Sequence, residues 1–121
     1  MTTATINEVL HIHEAAAFEK AVLSEDSGLV IVDFYADRCG PCKILAPIME
    51  ELAKEQEEVT VVKVDVDQAT ELAGRYDVFS IPTVMIFKDG EEVDKMVGAM
   101  PKDEYEAKLD ALRGEAAPSD S

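Results

Sequence analysis

The segment DFYADRCGPCK, residues 33–43, places Cys39 and Cys42 three positions apart at the junction of two local patterns. Before it, GLVIVDFYA at 28–36 is a short and nearly continuous apolar run, which is typical of a strand buried on both faces of a sheet. After it, residues 42–58 carry apolar side chains at helical spacing, namely Ile44, Leu45, Ile48 and Leu52. We therefore expect the cysteines to lie between the end of a buried strand and the start of a helix.

The rest of the chain contains five further predicted elements. They are a helix within 13–26, a strand at 59–67 that alternates valines with charged residues, a short helix at 69–78, a hairpin over 83–100 with the turn KDG, and a helix at 101–113. Strands and helices alternate first, and a hairpin and a helix close the chain. This order predicts an α/β fold in which a mixed sheet has helices on both faces.

Length and composition indicate one domain. The chain has 121 residues, of which 47% are hydrophobic, so it is long enough to bury a core without disulfides or metals. We place the domain at 6–113 and expect loose ends at residues 1–5 and in the acidic tail 114–121. The sequence shows no secretory signal and no apolar run near the roughly 18 residues that span a bilayer, so we expect a soluble, cytoplasmic protein.

The formal charge of −15 limits the partners. Nucleic acid and anionic membranes repel such a chain, so neither is expected to bind it. Two explanations of the charge stay open, which are an ordinary solvated acidic surface and adaptation to a high-salt cytosol that screens self-repulsion.

Two cysteines are too few for a disulfide framework, so catalysis or metal binding is the better explanation for them. At a helix start, Cys39 faces unpaired backbone N–H groups and the positive end of the helix dipole, which favours its thiolate. Cys39 is therefore the expected nucleophile, and the more covered Cys42 is the resolving thiol. Gly40 permits a tight turn, and Pro41 suits the first turn of a helix.

The spacing C-x-x-C is also half of a zinc site. His11 and His13 are the only histidines, and they would have to complete a Cys₂His₂ set. An exposed or edge-strand pair is the better explanation of HIH, because no second close-spaced ligand pair follows the cysteines.

Several separated motifs resemble the thioredoxin family. The segment VDFYADRCGPCK is similar to the active-site segment of that family, and SIPT, FKDG and VGA follow in the family's order and spacing. The resemblance runs from about Leu29 to Leu112 and more loosely from Ile6. It implies a thioredoxin fold, with a central mixed sheet of five strands, or four, and about four helices on both faces.

The resemblance also implies roles for two charged residues. Asp33 interrupts an apolar strand and matches the family's aspartate behind the cysteines, which moves a proton to or from the resolving thiol. The alternative is a structural aspartate that neighbouring groups satisfy. Lys63 matches the family's lysine near that aspartate, and the alternative is an ordinary exposed strand lysine beside Asp65 and Asp67.

The substrate surface follows from the same likeness. Ile81 and Pro82 resemble the family's cis-proline loop, where an extended substrate segment pairs with the Ile81 backbone. An apolar rim is implied beside this loop, formed by Gly40, Pro41, Gly98 and Ala99. Disulfide-containing client proteins are the implied substrates.

The chain departs from the family at Tyr35 and Arg38, where tryptophans are usual. Tyr35 retains an aromatic packing surface. Arg38 puts a cation beside the nucleophile, which could stabilise its thiolate and attract acidic clients. The alternative for Arg38 is a surface residue that pairs with Asp37.

These observations predict a thiol–disulfide oxidoreductase of thioredoxin type, a monomer that needs no metal or organic cofactor. A thioredoxin reductase is the expected electron source, by analogy. Oxidases and isomerases share C-x-x-C with other intervening pairs, whereas Gly-Pro resembles the reducing members. A non-catalytic adaptor that binds partners through the Pro82 face, and a structural zinc module, are the alternatives from other classes.

Overall fold

The computed structural model describes residues 8–115 and contains a five-stranded mixed sheet. The elements in chain order are β1 (Leu10–His11), α1 (Ala15–Val22), β2 (Leu29–Tyr35), α2 (Gly40–Glu55), β3 (Val59–Asp65), α3 (Thr70–Arg75), β4 (Thr83–Lys88), β5 (Glu91–Val97) and α4 (Lys102–Glu115). The strand order is β1-β3-β2-β4-β5; the β1–β3 and β3–β2 pairs are parallel, and β2–β4 and β4–β5 are antiparallel. The predicted α/β architecture is confirmed.

Strand β2 lies at the centre of the sheet and is buried except at Tyr35. One of its faces packs with α2 and α4, where Leu45, Met49 and Tyr105 belong to the core. The other face packs with α1 and α3 through residues such as Phe18 and Leu72. Helices thus cover both faces, as the apolar run at 28–36 predicts.

The helix boundaries differ from the predicted ones at several ends. Helix α1 is shorter than 13–26, and α2 begins at Gly40 rather than at Cys42 because Cys39 already serves as its N-cap. Helix α3 ends at Arg75 rather than near Val78, and Asp77 two residues later has a positive φ that no helix continues through. Helix α4 extends past Arg113 to Glu115, so it includes Gly114.

One exposure prediction is wrong, and one of the alternatives does not hold. Ile44 was expected on the apolar stripe of α2, but it is 68% exposed, because Leu45, Met49 and Leu52 form the buried stripe instead. Lys63 is buried and not an ordinary exposed strand lysine. Lys63 leaves the same face of β3 as Val59 and Val61, and that face packs against the core of α2 and α4 rather than facing open solvent.

The predicted hairpin between β4 and β5 is confirmed. Asp89 and Gly90 both adopt positive φ, at 50° and 90°, as a two-residue hairpin turn requires. Asp89 also fixes this turn to the start of β2, since its N–H donates to the Gly28 carbonyl at 2.9 Å and its carboxylate accepts from the Gly28 N–H at 3.2 Å.

The predicted loose N-terminus, residues 1–5, and all but the first two residues of the predicted tail lie outside the described part of the chain. Among residues 8–115, none of the helices is both long enough and apolar enough to cross a membrane.

The turn generates a prediction about stability. A Cβ on Gly90 would overlap the Leu23 backbone carbonyl, and φ is positive there, so Gly90→Ala should lower the free energy of unfolding by about 1–3 kcal/mol. Gly74→Ala is the matched control, because a Cβ in that helical position meets nothing within 4 Å, and we expect it to be neutral or stabilising. Urea unfolding measures both, and equal effects would contradict the steric argument.

Candidate active site

Cys39 is the N-cap of α2, with the extended backbone (φ −94°, ψ 114°) that this position requires. Its sulfur accepts a hydrogen bond from the Cys42 backbone N–H at 3.1 Å and is joined to Cys42 in a disulfide. Pro41 lies in the first turn, where its missing N–H leaves no helical hydrogen bond unmade. The expected position of the cysteines at a helix start is confirmed.

The two sulfurs differ in exposure. Cys39 is 8% exposed and Cys42 is 2% exposed, so Cys42 is the more covered residue, as the sequence predicts. Gly40 and Pro41 are exposed, and a Cβ on Gly40 would meet nothing within 4 Å. The surface beside Cys39 is therefore open to a large partner such as another protein.

Asp33 is fully buried in β2, and neither of its carboxylate oxygens has a hydrogen-bond partner. Strand register places it opposite Lys63 of β3, whose Nζ lies 4.0 Å from Oδ2. Burial raises the pKa of Asp33 to about 6, while the Lys63 charge lowers it. An aspartate satisfied by hydrogen bonds from its neighbours does not fit this environment.

Lys63 lies next to Asp33 and also lines a cavity beside Cys42. Its ammonium lies 4.2 Å from the centroid of the Tyr35 ring. Cys42, Tyr35 and Lys63 also line one open cavity of about 160 Å³, together with Ala36, Asp37, Lys43 and Ala46. A cavity of this size is large enough to admit water, so the Lys63 ammonium and Cys42 border a space that solvent can enter.

The proline loop lies at the same sheet end as the cysteines. The Ile81–Pro82 peptide bond is cis, and the loop leads into β4, whose first residue, Thr83, pairs with Phe34 near the end of β2. The Gly98 N–H donates to the Pro82 carbonyl at 2.8 Å, so the residues after β5 join this group. Ile81 and Gly98 are half-buried and Ala99 is exposed.

Arg38 is exposed, and its partner is not Asp37, the residue that the surface alternative named. Its guanidinium donates to the carboxylate of Asp67 at 2.8 Å, and the two side chains are 67% and 56% exposed. Asp67 comes shortly after the end of β3, and only the parallel pairing of β2 and β3 brings it beside the residue that precedes Cys39. Sequence spacing alone gave no signal for this pair.

The histidines do not approach the cysteines as a ligand set. His11 ends β1, whereas His13 lies beyond it and accepts a hydrogen bond from the Asp65 backbone N–H at 3.4 Å. Within residues 8–115, no group of three or more His, Cys, Asp or Glu side chains is arranged to hold a metal ion. The zinc hypothesis thus has no support in this part of the chain.

Comparison with known proteins decides the family. The thioredoxin family model matches residues 9–111. The chain belongs to the thioredoxin family. It is 55% identical over 80 residues to a thioredoxin of Mycoplasmoides gallisepticum, which covers 66% of this chain and 80% of that protein. It is 49% identical over 86 residues to Staphylococcus aureus thioredoxin, covering 70% and 83% of the two chains.

Solved structures support the same family assignment. A mutant thioredoxin from Halobacterium salinarum NRC-1 superposes with a TM-score of 0.83 and 35% identity over 91% of this chain and 95% of that one. Malassezia sympodialis thioredoxin gives a TM-score of 0.77 at 28% identity, over 91% of this chain and 96% of that one.

The chain is a thiol–disulfide oxidoreductase, a protein disulfide reductase and redox carrier of thioredoxin type. The paired cysteines argue against a non-catalytic adaptor.

The environment of Asp33 predicts an unusual pH dependence of stability. Its folded pKa, about 6, lies above the ordinary 3.8, so the associated stability is complete below pH 3.8 and is lost as pH rises through about 6. The full loss is about 3 kcal/mol. We expect the stability gained by Asp33→Asn over wild type to grow by about 2 kcal/mol between roughly pH 4 and pH 8 in urea unfolding.

The exposed Asp26→Asn is the matched control for the loss of one carboxylate. A pH-independent difference between wild type and Asp33→Asn would show that the Asp33 carboxylate is not held in the environment described above.

Proposed function

We propose that the protein reduces the disulfides of client proteins in the cytoplasm, as a monomer, with Cys39 as nucleophile and Cys42 as resolving thiol. The observation that carries the assignment is the place of Cys39 at the N-cap of α2, where its sulfur accepts the Cys42 backbone N–H. The same N–H and the helix dipole stabilise a negative charge on this sulfur once the disulfide is reduced. Thiolate is the attacking species in disulfide exchange.

In the first step the Cys39 thiolate attacks one sulfur of the client disulfide. A Cys39–client disulfide forms, the client S–S bond breaks, and the second client sulfur leaves as a thiolate that takes up a proton. The client approaches over the exposed surface of Gly40 and Pro41. No metal or organic cofactor takes part in this exchange.

In the second step Cys42 loses its proton and attacks the Cys39 sulfur. The mixed disulfide breaks, the first client sulfur leaves, and the Cys39–Cys42 disulfide forms, so two electrons pass from the protein to its client. Asp33 accepts the Cys42 proton. Its raised pKa, about 6, suits a carboxylate that is ionised at neutral pH and still basic enough to be protonated briefly. Lys63 keeps that carboxylate ionised by its charge.

The client segment docks on the proline loop. The backbone of Ile81 pairs with it as an added strand, so main-chain hydrogen bonds provide affinity while shallow pockets discriminate little. Gly98 and Ala99 complete the rim beside Pro82, and the hydrogen bond from Gly98 to the Pro82 carbonyl fixes the loop that receives the client.

A thioredoxin reductase returns the Cys39–Cys42 disulfide to the dithiol form. The charge of −15 makes nucleic acid and anionic membranes poor partners.

The cysteine roles predict which variants trap a client. Pre-reduced Cys42→Ser, freed of dithiothreitol, should accumulate a mixed disulfide with insulin, because the chain has no second cysteine to resolve the adduct. In dithiothreitol-driven insulin reduction it should turn over more slowly than wild type, because only the external dithiol can then release the client. Cys39→Ser is the matched control, and it should form no adduct and show no turnover. Non-reducing gels and turbidity measure the two effects. An adduct of equal yield on Cys39→Ser would reverse the assignment, and wild type that does not accelerate reduction would favour an adaptor.

Arg38 is proposed to attract acidic client segments. The exposed Arg38–Asp67 pair contributes at most about 1 kcal/mol, so the guanidinium can exchange Asp67 for a client carboxylate. We expect Arg38→Gln to slow reduction of an acidic client about 2–5-fold at low salt and Asp67→Asn to accelerate it, with both effects lost at high salt.

Two substitutions of Arg38 test its effect on the nucleophile. Thiolate absorbance against pH should place the titration midpoint of Cys39 higher in Arg38→Gln and in Arg38→Trp than in wild type. Unchanged titrations would remove the electrostatic role on the nucleophile, and salt-independent rates would remove the role in client attraction.

A further inference from the structure

Tyr35 contacts the charged pair behind the cysteines. Asp33 and Tyr35 are two positions apart on β2, so their side chains leave the same face of the strand, and Lys63 stands opposite Asp33 on β3. The Lys63 ammonium lies 4.2 Å from the Tyr35 ring centroid and 4.0 Å from the Asp33 carboxylate. One buried cation therefore lies between an aromatic ring and a carboxylate.

The contacts of Lys63 explain why a ring is needed. A buried ammonium requires compensation, yet 4.0 Å is too long for a hydrogen bond to Asp33, whose oxygens have no hydrogen-bond partner. The face of an aromatic ring attracts a cation without accepting a hydrogen bond, and it does so more strongly when the cation is desolvated. Tyr35 and Lys63 also line the same open cavity beside Cys42.

We propose that Tyr35 is a positioning residue for this reaction: its ring holds the Lys63 ammonium beside Asp33. Without the ring, the ammonium moves farther from Asp33 into the cavity that Lys63 already lines, and Asp33 loses part of the positive charge that favours its ionised form. Tyr35 thereby sets how readily Asp33 takes a proton. This proposal rests on the proposed role of Asp33 as the acceptor of the Cys42 proton.

Other titratable groups surround the trio and stay constant in the test. They are Tyr105 of α4, whose pKa is raised by burial and further by the Asp33 charge, and, around Tyr35 and the cavity, Asp37, Asp65 and Lys43.

The test measures the pKa of Asp33 by NMR of its side-chain carboxyl in the oxidised protein. Tyr35→Leu should raise this pKa by about 0.5–1 unit, the scale of a partly desolvated cation–π contact. Tyr35→Phe, the matched control, keeps the ring and should leave the pKa within about 0.2 units of wild type. Tyr35→Met is a second ringless variant if Tyr35→Leu does not fold.

A double-mutant cycle shows whether the ring acts through Lys63. Lys63→Met should raise the pKa of Asp33, and adding Tyr35→Leu to it should change the pKa little further. Additive shifts, or no rise in Tyr35→Leu, would overturn the proposal.

The pH profile of client reduction separates this proposal from the proposed function. A matching shift of the profile in Tyr35→Leu supports both. A raised pKa of Asp33 with an unshifted profile supports the positioning role of Tyr35 and removes Asp33 from the proton route.

Discussion

Strand β2 is hydrogen-bonded on both edges and covered by helices on both faces, and this burial governs the chemistry of the site. The chain leaves β2 at Tyr35 and reaches Cys39 after a short loop, so the nucleophile starts its helix at the end of the most constrained strand. The antiparallel partner β4 enters at Thr83 beside that end, directly after Pro82. Central pairing thus brings together the redox pair and the loop proposed to bind clients, although they are far apart in sequence.

The same burial makes an ionised Asp33 destabilise the folded state. A carboxylate without hydrogen bonds in a sheet covered on both faces destabilises the folded state at neutral pH, and the Lys63 charge at 4.0 Å offsets only part of this. Asp33 is tolerated because the rest of β2 is apolar and, except at Tyr35, buried. The raised pKa of Asp33 and the lost stability are therefore two results of the same desolvation. A group whose pKa suits proton transfer thus lowers the stability of the fold, and packing elsewhere must offset that loss.

Local pattern predicted the central part of the fold. The apolar run at 28–36, the turn KDG and the cysteines at a helix start depend on neighbours in sequence, and the structure contains all three. Non-local facts were not predictable in this way. The burial of Lys63 depends on α2, which covers its face of the sheet, and the pairing of Arg38 with Asp67 depends on parallel register.

The position of Ile44 shows that prediction from sequence is limited even within a single helix. Apolar residues at helical spacing do not show which of two adjacent ones faces the core. The family resemblance supplied the importance of Asp33 and Pro82, which spacing alone would not have given. It did not supply the contact between Tyr35 and Lys63, since tyrosine stands where the family usually has tryptophan.

Net charge acts differently on the two parts of the site. With −15 on the chain, forming a thiolate or ionising Asp33 is opposed by the surrounding field, but at physiological salt exposed charges are screened within about 8 Å. Arg38 and Asp67 are exposed, so salt weakens their pairing and any attraction of clients. Asp33 and Lys63 are buried and are screened much less. Ionic strength should therefore change the encounter with clients while proton transfer behind the cysteines stays nearly constant, because the first depends on exposed charges and the second on desolvated ones.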